Sequence, residues 1–293
     1  MIETLLTIVA VALRILSNPL GNVYQKRLTA EGQHPLLVNF LTYLLLALVC
    51  IPFAFTVQWR ALPFNFWLYS ILGGMVGALG NGFLVRALQR GDLSVLGPIN
   101  SYKSVVSIIV GVFLLGEVPG LWGLLGIGLI VYGSYFVLDA TDERFSLALL
   151  KRPEIQYRLW ALLLTAIEAV FTKKYIQASS VMVATIGWCC FGALFAVVFL
   201  FVYRVDINNG IRKISLNDAG KYVLLLACVG TMQLTTNYAF AHMPVGYALS
   251  LFQLSVIISV LLGHRIFGEQ DIRKKLIGSF IMIAGSVIII LLK

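Results

Sequence analysis

The sequence contains a stretch that returns, without a gap, 152 residues further along the chain. When residues 107–134 are aligned with residues 259–286, eight of the 28 positions are identical. The identities include Gly116-Glu117 against Gly268-Glu269 and Gly133-Ser134 against Gly285-Ser286. An apolar composition alone does not align glycine, serine and glutamate in this way. The repeat therefore indicates an internal duplication, and the chain is expected to fold as two related halves.

The composition indicates a membrane protein. Of 293 residues, 59% are hydrophobic and 12% are charged, whereas soluble domains carry about 25% charged residues. Because a helix that crosses a bilayer needs about 20 apolar residues, the apolar runs predict ten spans. These are 4–24, 35–56, 65–87, 93–115, 120–138, 157–176, 181–203, 220–241, 245–266 and 274–292. Unbroken runs favour helices over a β-barrel, whose strands alternate and are about ten residues long.

The duplication and the span count together predict the architecture. With five spans in each half, the second half must be inverted relative to the first. We therefore predict an all-α polytopic membrane protein with ten transmembrane helices in a 5+5 inverted repeat. The halves are residues 1–138 and 157–293, joined by a polar connector at 139–156. Inverted repeats of this kind are typical of secondary transporters.

The basic residues are distributed unevenly between the two sides of the predicted bundle. The loops after spans 1, 3, 5, 7 and 9 hold sixteen Lys and Arg residues, and the opposite side holds four. The positive-inside rule then places the connector in the cytoplasm and both termini outside. The net charge of +9 is attributed to this topology and to anionic lipid headgroups, so no nucleic-acid partner is expected.

Two turns resemble those of a known family. The chain reads LLGEVPGLWGLLGIGLIVYG after span 4 and IFGEQDIRKKLIGSFIMIAG after span 9. Together with ten spans and an inverted repeat, these turns resemble the EamA-type transporters of the drug/metabolite transporter superfamily. The resemblance implies alternating-access transport of small metabolites, typically amino acids, across the bacterial inner membrane through a central cavity. Relatives of this type usually keep both termini in the cytoplasm, which is opposite to the orientation that the charge bias predicts.

Polar side chains inside the spans are the candidates for a substrate site, because each is costly to bury in the bilayer. In span 1, Arg14, Asn18 and Asn22 recur at helical spacing and share one face. The other candidates lie in spans 4, 6 and 8, and they are Asn100, Lys103, Ser107, Glu168, Gln233, Asn237 and Tyr238. We predict that these residues bind the substrate. We also hypothesise that Arg14 and Glu168 face each other across the two halves.

Other repeated residues have structural interpretations. Gly111, Gly126, Gly263 and Gly278 are expected at close contacts between helices. Glu117 and Glu269 lie at span ends, so we interpret them as residues that cap a turn or form a salt bridge rather than as proton carriers.

Enzyme and channel functions are disfavoured. All six aspartates fall in loops or at span ends, which excludes an intramembrane aspartate pair. The chain has no HExxH, P-loop or Gly-x-Ser-x-Gly pattern and no filter-like loop. No cofactor or bound metal is expected. Without an ATP-binding pattern, transport must be driven by an ion gradient, by exchange or by the gradient of the substrate itself.

The charges predict the substrate class. Two cations, Arg14 and Lys103, accompany one carboxylate, Glu168, and a bound carboxylate would balance them. We therefore predict a zwitterionic or anionic small metabolite, amino acids first. The alternatives are export of cationic drugs, or transport of a sugar, a nucleoside or a choline-like compound. A channel or a membrane-embedded enzyme is a remote alternative. The expected partners are the substrate and membrane lipid, with proton coupling and the choice between monomer and homodimer left open.

The charge bias predicts the outcome of a reporter experiment. Alkaline phosphatase fused to the C-terminus should be active, and a fluorescent protein fused there should stay dark, because the rule places that end outside. The same two reporters inserted into the 139–156 connector should give the reverse result. Fluorescence from the C-terminal fusion in intact cells would contradict the predicted orientation.

Overall fold

Helices form all the regular secondary structure in the residues that the computed structural model describes, which are 2–103, 105–106, 120–139 and 151–291. Ser107, Gly111, Glu117 and most of the 139–156 connector lie outside these ranges. The described helices are α1 (Ile2–Ala30), α2 (Pro35–Ala54), α3 (Phe64–Arg90), α4 (Leu93–Ile99), α5 (Leu121–Asp139), α6 (Pro153–Gln177), α7 (Val181–Val202), α8 (Ile207–Arg212), α9 (Leu216–His242), α10 (Val245–Phe252), α11 (Ser255–Phe267) and α12 (Ile272–Leu291). A single 3₁₀ turn, Trp59–Ala61, precedes α3.

Seven stretches of the described chain are helical, long and apolar enough to cross a membrane. Six lie in α1, α2, α3, α5, α7 and α9, and the seventh, Tyr247–Phe267, covers the end of α10 and all of α11. Helices α6 and α12 are 25 and 20 residues long, but both contain several charged residues. The chain is therefore an all-helical membrane protein that crosses the bilayer several times.

The helices follow the predicted spans along most of the chain and differ from them in several regions. Span 9 was predicted as one helix over 245–266, but it breaks at Gln253 and Leu254. The N–H groups of these two residues bond to carbonyls three residues back, at 3.1 Å each, so the backbone tightens there. A short helix, α8, forms between the predicted spans 7 and 8. The count of ten helices stays a prediction, because span 4 is described only as far as residue 106.

Span 4 has the same kind of break, at Asn100 and Ser101. The N–H groups of Asn100 and Ser101 bond to Gly97 O and Pro98 O, at 3.0 and 2.9 Å. The Ser101 hydroxyl lies 3.4 Å from Gln253 Oε1, and both side chains are buried. Ser286 Oγ donates to the Ser101 carbonyl at 3.2 Å. The two breaks therefore meet in the interior, where side chains satisfy part of the released backbone.

The principal helix contacts connect residues before the connector with residues after it. Helix α1 packs along α9, and α3 packs along α6. Helix α2 packs on α7, α4 on α11, and α5 on α12. The two predicted halves thus interdigitate instead of forming separate bodies, and any cavity between them is lined by both.

Glycines allow α5 and α12 to touch through their backbones. A Cβ atom on Gly133 would lie 2.7 Å from the Gly278 carbonyl oxygen, and one on Gly278 would lie 2.5 Å from the Gly133 oxygen. Gly126 and Gly285 form a second reciprocal pair, at 2.7 and 2.6 Å. Such spacing leaves no room for any side chain. The predicted packing role of Gly126 and Gly278 is confirmed.

Basic residues from the loops after spans 1, 7 and 9 lie at one end of the bundle and form ion pairs there. Lys26 Nζ lies 2.8 Å from Glu269 Oε1, and Lys221 bonds to Glu31. Glu269 also accepts bonds of 2.8 Å from the N–H groups of Leu93 and Ser94 at the start of α4. Glu269 therefore has both roles predicted for it, although the helix that it caps is α4 and not its own.

The glycine contacts predict a position-specific loss of stability. Gly133→Ala should lower the thermal unfolding midpoint in detergent, because its Cβ atom would collide with Gly278 O and with Met282 Cγ, 2.7 Å away. Overpacking of this kind costs about 1–3 kcal/mol. Gly128→Ala is the matched control on the same helix, since nothing lies within 4 Å of its Cβ position. Equal midpoints for the two variants would show that the backbone contact contributes nothing.

Candidate functional site

A cavity of about 140 Å³ lies among the helices of both predicted halves. Polar side chains dominate one part of its wall, and helices α1, α2, α3, α6, α7, α9 and α11 all contribute to it. Of the ten residues predicted to bind substrate, seven line this cavity: Arg14, Asn18, Asn22, Asn100, Lys103, Glu168 and Gln233. The structure therefore brings together side chains that are more than 200 residues apart in sequence.

Two of the other three predicted residues, Asn237 and Tyr238, are not on this wall. Asn237 is fully buried behind Gln233, from which it accepts a bond of 2.9 Å, and its own amide donates to Thr185 Oγ1 at 2.9 Å. The ring of Tyr238 stacks on His242, with the centroids 4.1 Å apart. Ser107 lies outside the described residues. Asn237 can therefore hold Gln233 in place, but the structure puts neither it nor Tyr238 at the cavity surface.

Arg14 has an incomplete set of partners. Its Nε donates to Thr236 Oγ1 at 2.8 Å, and its Cζ lies 4.7 Å from the centroid of the Phe252 ring. Its Nη1 is buried and has no hydrogen-bond partner among the described residues. Arg14 thus contacts α9 and α10 in place of the hypothesised contact with Glu168. A buried guanidinium donor without an acceptor is costly, and an anion in the cavity would satisfy it.

Glu168 sits in a space that a glycine leaves open. Trp188 Nε1 donates to Glu168 Oε1 at 2.8 Å, and the carboxylate is 9% exposed. A Cβ atom on Gly77 would lie 2.3 Å from the same oxygen. The Trp188 ring is held in turn by Tyr43, with the centroids 4.5 Å apart. The carboxylate is therefore fixed at the cavity wall by groups from α3 and α7.

Arg158 lines the cavity and was missed in the sequence. It is 7% exposed, and its Nε donates to the Leu96 carbonyl at 2.8 Å. Arg158 is the second residue of the predicted span 6, which began at residue 157, and it was counted among the cytoplasmic loop residues at that boundary. Helix α6 in fact begins four residues earlier, with Pro153 in its first turn and Glu154 after it. That pair is a helix-start signal and could have revealed the error.

Span 2 also contributes polar residues that the sequence analysis did not select. Asn39, Thr42 and Tyr43 line the cavity, and their spacing of three or four residues places them on one helical face. Asn81 of α3 donates to Tyr43 Oη at 2.6 Å, which ties the two helices together at the wall. The same spacing rule that found Arg14, applied to span 2, would have found this stripe.

The cavity charges are unequal in the part of the chain that the structure describes. Arg14, Lys103 and Arg158 are cationic, and Glu168 is the one carboxylate on the wall. Amides from α1, α2, α3 and α9 supply neutral donors and acceptors between them. Chemically, this arrangement can bind an anionic group by charge-assisted hydrogen bonds and hold a polar or cationic group near Glu168.

Several known proteins are similar to this chain. A protein of Streptococcus agalactiae, named provisionally for sugar uptake, is 24% identical over 248 residues, which cover 78% of this chain and 80% of that protein. A protein of Streptococcus pyogenes with the same provisional name is 25% identical over 225 residues and 72% of each chain. A Sinorhizobium protein named as an uncharacterized transporter is 33% identical over 98 residues, which cover 32% of this chain and 68% of that protein.

A solved crystal structure shares the fold over nearly the whole length. Its TM-score is 0.66 at 17% sequence identity, and the match covers 98% of this chain and 95% of the other. The sequence profile of the EamA-like transporter family matches residues 5–139 and 154–291. With the helical bundle and the polar cavity between its halves, this match establishes that the chain belongs to the EamA-like transporter family.

Proposed function

We propose that the protein is a secondary transporter of a small metabolite that carries a carboxylate, with amino acids as the first class to test. The observation that carries this proposal is the group of three cations, Arg14, Lys103 and Arg158, around one cavity with a single described carboxylate, Glu168. Excess positive charge in a low-dielectric site is costly unless an anion balances it. A substrate carboxylate would provide that balance, and its release would leave the charge to be met by water or by Glu168.

The position of Arg14 supports a carboxylate in particular. Its free Nη1 and its planar guanidinium suit two parallel bonds to a carboxylate, whereas Lys103 would add a point charge. An ammonium group on the same ligand would then sit toward Glu168 and the amides of Asn18 and Gln233. The cavity of about 140 Å³ is smaller than the roughly 300–1,000 Å³ of drug-sized pockets. These features favour a small metabolite over a lipophilic cationic drug.

The architecture proposed for this cycle is ten transmembrane helices in a 5+5 inverted repeat. The two segments matched by the family profile support two halves, residues 1–138 and 157–293. The reciprocal contacts also support it, because Gly126 with Gly285 and Gly133 with Gly278 exchange under the 152-residue offset. In such folds the substrate site lies near the midplane, at the interface of the repeats. We place the protein in a bacterial inner membrane, as a monomer or homodimer.

A sugar is the second candidate substrate. The streptococcal relatives bear provisional names for sugar uptake. The cavity wall also offers amides and the paired rings of Tyr43 and Trp188, which suit hydroxyl groups and the apolar face of a sugar ring. A neutral sugar would leave Arg14 Nη1 without the charged acceptor that a carboxylate provides. The charge pattern therefore favours a substrate with a carboxylate over a neutral sugar.

Substitution of the cations should weaken carboxylate binding. Arg14→Gln and Lys103→Gln should each lower the affinity for a transported amino or organic acid about tenfold, since a charge-assisted hydrogen bond contributes about 1.5–3 kcal/mol. Binding can be measured on purified protein by calorimetry or by ligand-induced thermal stabilisation. Arg60→Gln removes the same charge from the exposed turn before α3 and serves as the control. Unchanged carboxylate affinity in both cavity variants, with tighter binding of sugars, would establish the second candidate.

Glu168→Gln tests proton coupling separately. The glutamine can still accept the Trp188 bond at Oε1, so the wall should keep its shape. A carboxylate in a low-dielectric site favours its neutral form unless it is paired, which is the property that a proton carrier uses. The variant should lose uptake driven by a pH gradient in proteoliposomes and retain substrate exchange. Full gradient-driven uptake by the variant would reduce Glu168 to a positioning role.

A further inference from the structure

A second cleft, of about 720 Å³, opens at the end of the bundle where the basic loops gather. It shares none of its lining residues with the central cavity. We call it the basic cleft because cations converge on it from three segments, the end of α3, the end of α7 and the end of α8. The cations that line it are Arg86, Arg90, Arg204 and Lys213.

The cations of the basic cleft form no close ion pair with a carboxylate in the described chain. None of the four forms an ion pair with a described carboxylate, although Lys26, Arg152, Lys221 and Lys275 at the same end of the bundle all do. Asp206 is the one described carboxylate in the lining. Positive charge concentrated in a concave surface attracts anions from solution.

Two tyrosines hold Arg86 in position. Its Cζ lies 4.4 Å from the centroid of the Tyr203 ring and 5.7 Å from that of Tyr157. Tyr157 stacks in turn on Phe83, with the centroids 5.8 Å apart. The guanidinium therefore has its orientation set by rings from α6 and from the end of α7, and its N–H groups stay free for a ligand.

Arg204 occupies a backbone position that favours glycine. Its φ is 51°, in the left-handed region, directly after the end of α7. Its N–H bonds to Phe201 O at 3.0 Å and that of Val205 to Leu200 O at 2.9 Å, the pattern of a helix that ends in a glycine turn. An arginine in this backbone conformation is strained. Its cationic side chain lines the basic cleft.

Neighbouring groups leave the surplus positive charge in place. Hydrogen bonds from the backbone N–H and the side-chain amide of Asn209 lower the pKa of Asp206, so this carboxylate is ionised at neutral pH and offsets one cation. Burial and the nearby Arg86 charge lower the pKa of His34, so this lining residue adds no charge. The permanent cations still outnumber the single carboxylate.

Exposed apolar side chains lie close in sequence to residues that line the basic cleft. Phe201 and Val202 are 69% and 66% exposed, and Leu216 is 95% exposed. Such residues suit the depth at which acyl chains meet headgroups. The positive-inside rule accounts for basic residues on this end of the bundle, but it does not require them to converge on one concave surface or to be oriented by aromatic rings.

We propose that the basic cleft binds a phosphate group, carried either by the headgroup of an anionic phospholipid or by a soluble phosphate compound. Guanidinium groups bind phosphate oxygens through paired N–H donors, and Lys213 would add a point charge. Phosphate satisfies the cations and matches a position at the surface of the membrane. The site uses no residue of the central cavity, so its test does not depend on which substrate is transported.

The first experiment separates the two sources of phosphate. The purified full-length protein is placed in nanodiscs of phosphatidylcholine, and inorganic phosphate is titrated against chloride at equal ionic strength. A second series replaces part of the lipid with phosphatidylglycerol. Inorganic phosphate should raise the thermal unfolding midpoint more than chloride does, or phosphatidylglycerol should raise it above the value in phosphatidylcholine alone. No rise with either probe would overturn the proposal.

Adjacent residues provide matched variants for the affinity measurement. Lys213→Gln should lower the affinity for the effective probe about tenfold, whereas Arg212→Gln, also exposed but outside the lining, should change it less than twofold. Arg204→Gly should lose affinity and keep its folded state, because glycine favours the left-handed backbone there. Equal losses for Lys213→Gln and Arg212→Gln would indicate diffuse attraction by net charge and would overturn the site.

Asp206→Asn should change the affinity for phosphate in the opposite direction. Asparagine caps a helix as well as aspartate does, so α8 should keep its start while the lining loses its one described carboxylate. Affinity for the effective probe should rise several-fold. A fall in affinity, with the fold intact by circular dichroism, would contradict a phosphate ligand in the cleft.

Discussion

The carboxylate of Glu269 connects three segments of the bundle at the start of α4. It accepts bonds of 2.8 Å from the N–H groups of Leu93 and Ser94, which would otherwise have no partner at the start of α4. It also receives Lys26 Nζ, which donates at 2.9 Å to the Gly91 carbonyl. Burial would raise the pKa of Glu269, but Lys26 and the hydrogen bonds lower it below its usual value, so the group stays ionised. One side chain thus connects α1, the α3–α4 turn and the α11–α12 turn, and it fixes the short helix that carries Asn100 into the cavity.

The interrupted helices explain why the cavity lies where it does. A backbone inside a bilayer can leave its regular hydrogen bonding only where protein or enclosed water replaces the lost partners. The breaks at Ser101 and Gln253 meet this condition, since their side chains contact each other and Ser286 supplies a donor to the Ser101 carbonyl. Asn100 and Lys103 flank the first break and line the cavity. Discontinuous helices at equivalent places in the two halves are the feature that transporters use to form a polar site at membrane depth.

Local periodicity predicted much of this arrangement, and contacts between distant residues account for what it missed. Helical spacing found the stripe of Arg14, Asn18 and Asn22, because those residues share one helix and one face. The break at Gln253 could not be found in the same way, since no proline marks it and its partner, Ser101, is 152 residues away. Arg158 was missed because it lay at the predicted start of its span and was counted with the loop residues, although the helix begins at Pro153. Asn237 was selected because spacing cannot tell a residue that lines a wall from one that lies behind it. Hydropathy therefore predicts the helices, whereas the wall of the site depends on how the two halves interdigitate.

The junction at Glu269 also sets an energetic demand on the proposed transport cycle. A movement that separated α1 from the α11–α12 turn would take Lys26 away from Glu269, a residue that is 7% exposed. Removing one partner from a buried pair is destabilising by about 3–5 kcal/mol when nothing replaces it. Water entering from the opened side would reduce that value by solvating both groups, and the N–H groups of α4 would continue to hold the carboxylate in place. In the proposed cycle, an opened state would therefore be accessible only where solvent reaches the junction, and separation of the ion pair would be coupled to access at this end of the bundle. The interaction that positions α4 is then the same one that opposes opening, so the rigidity of the site and the barrier between its states have a common origin.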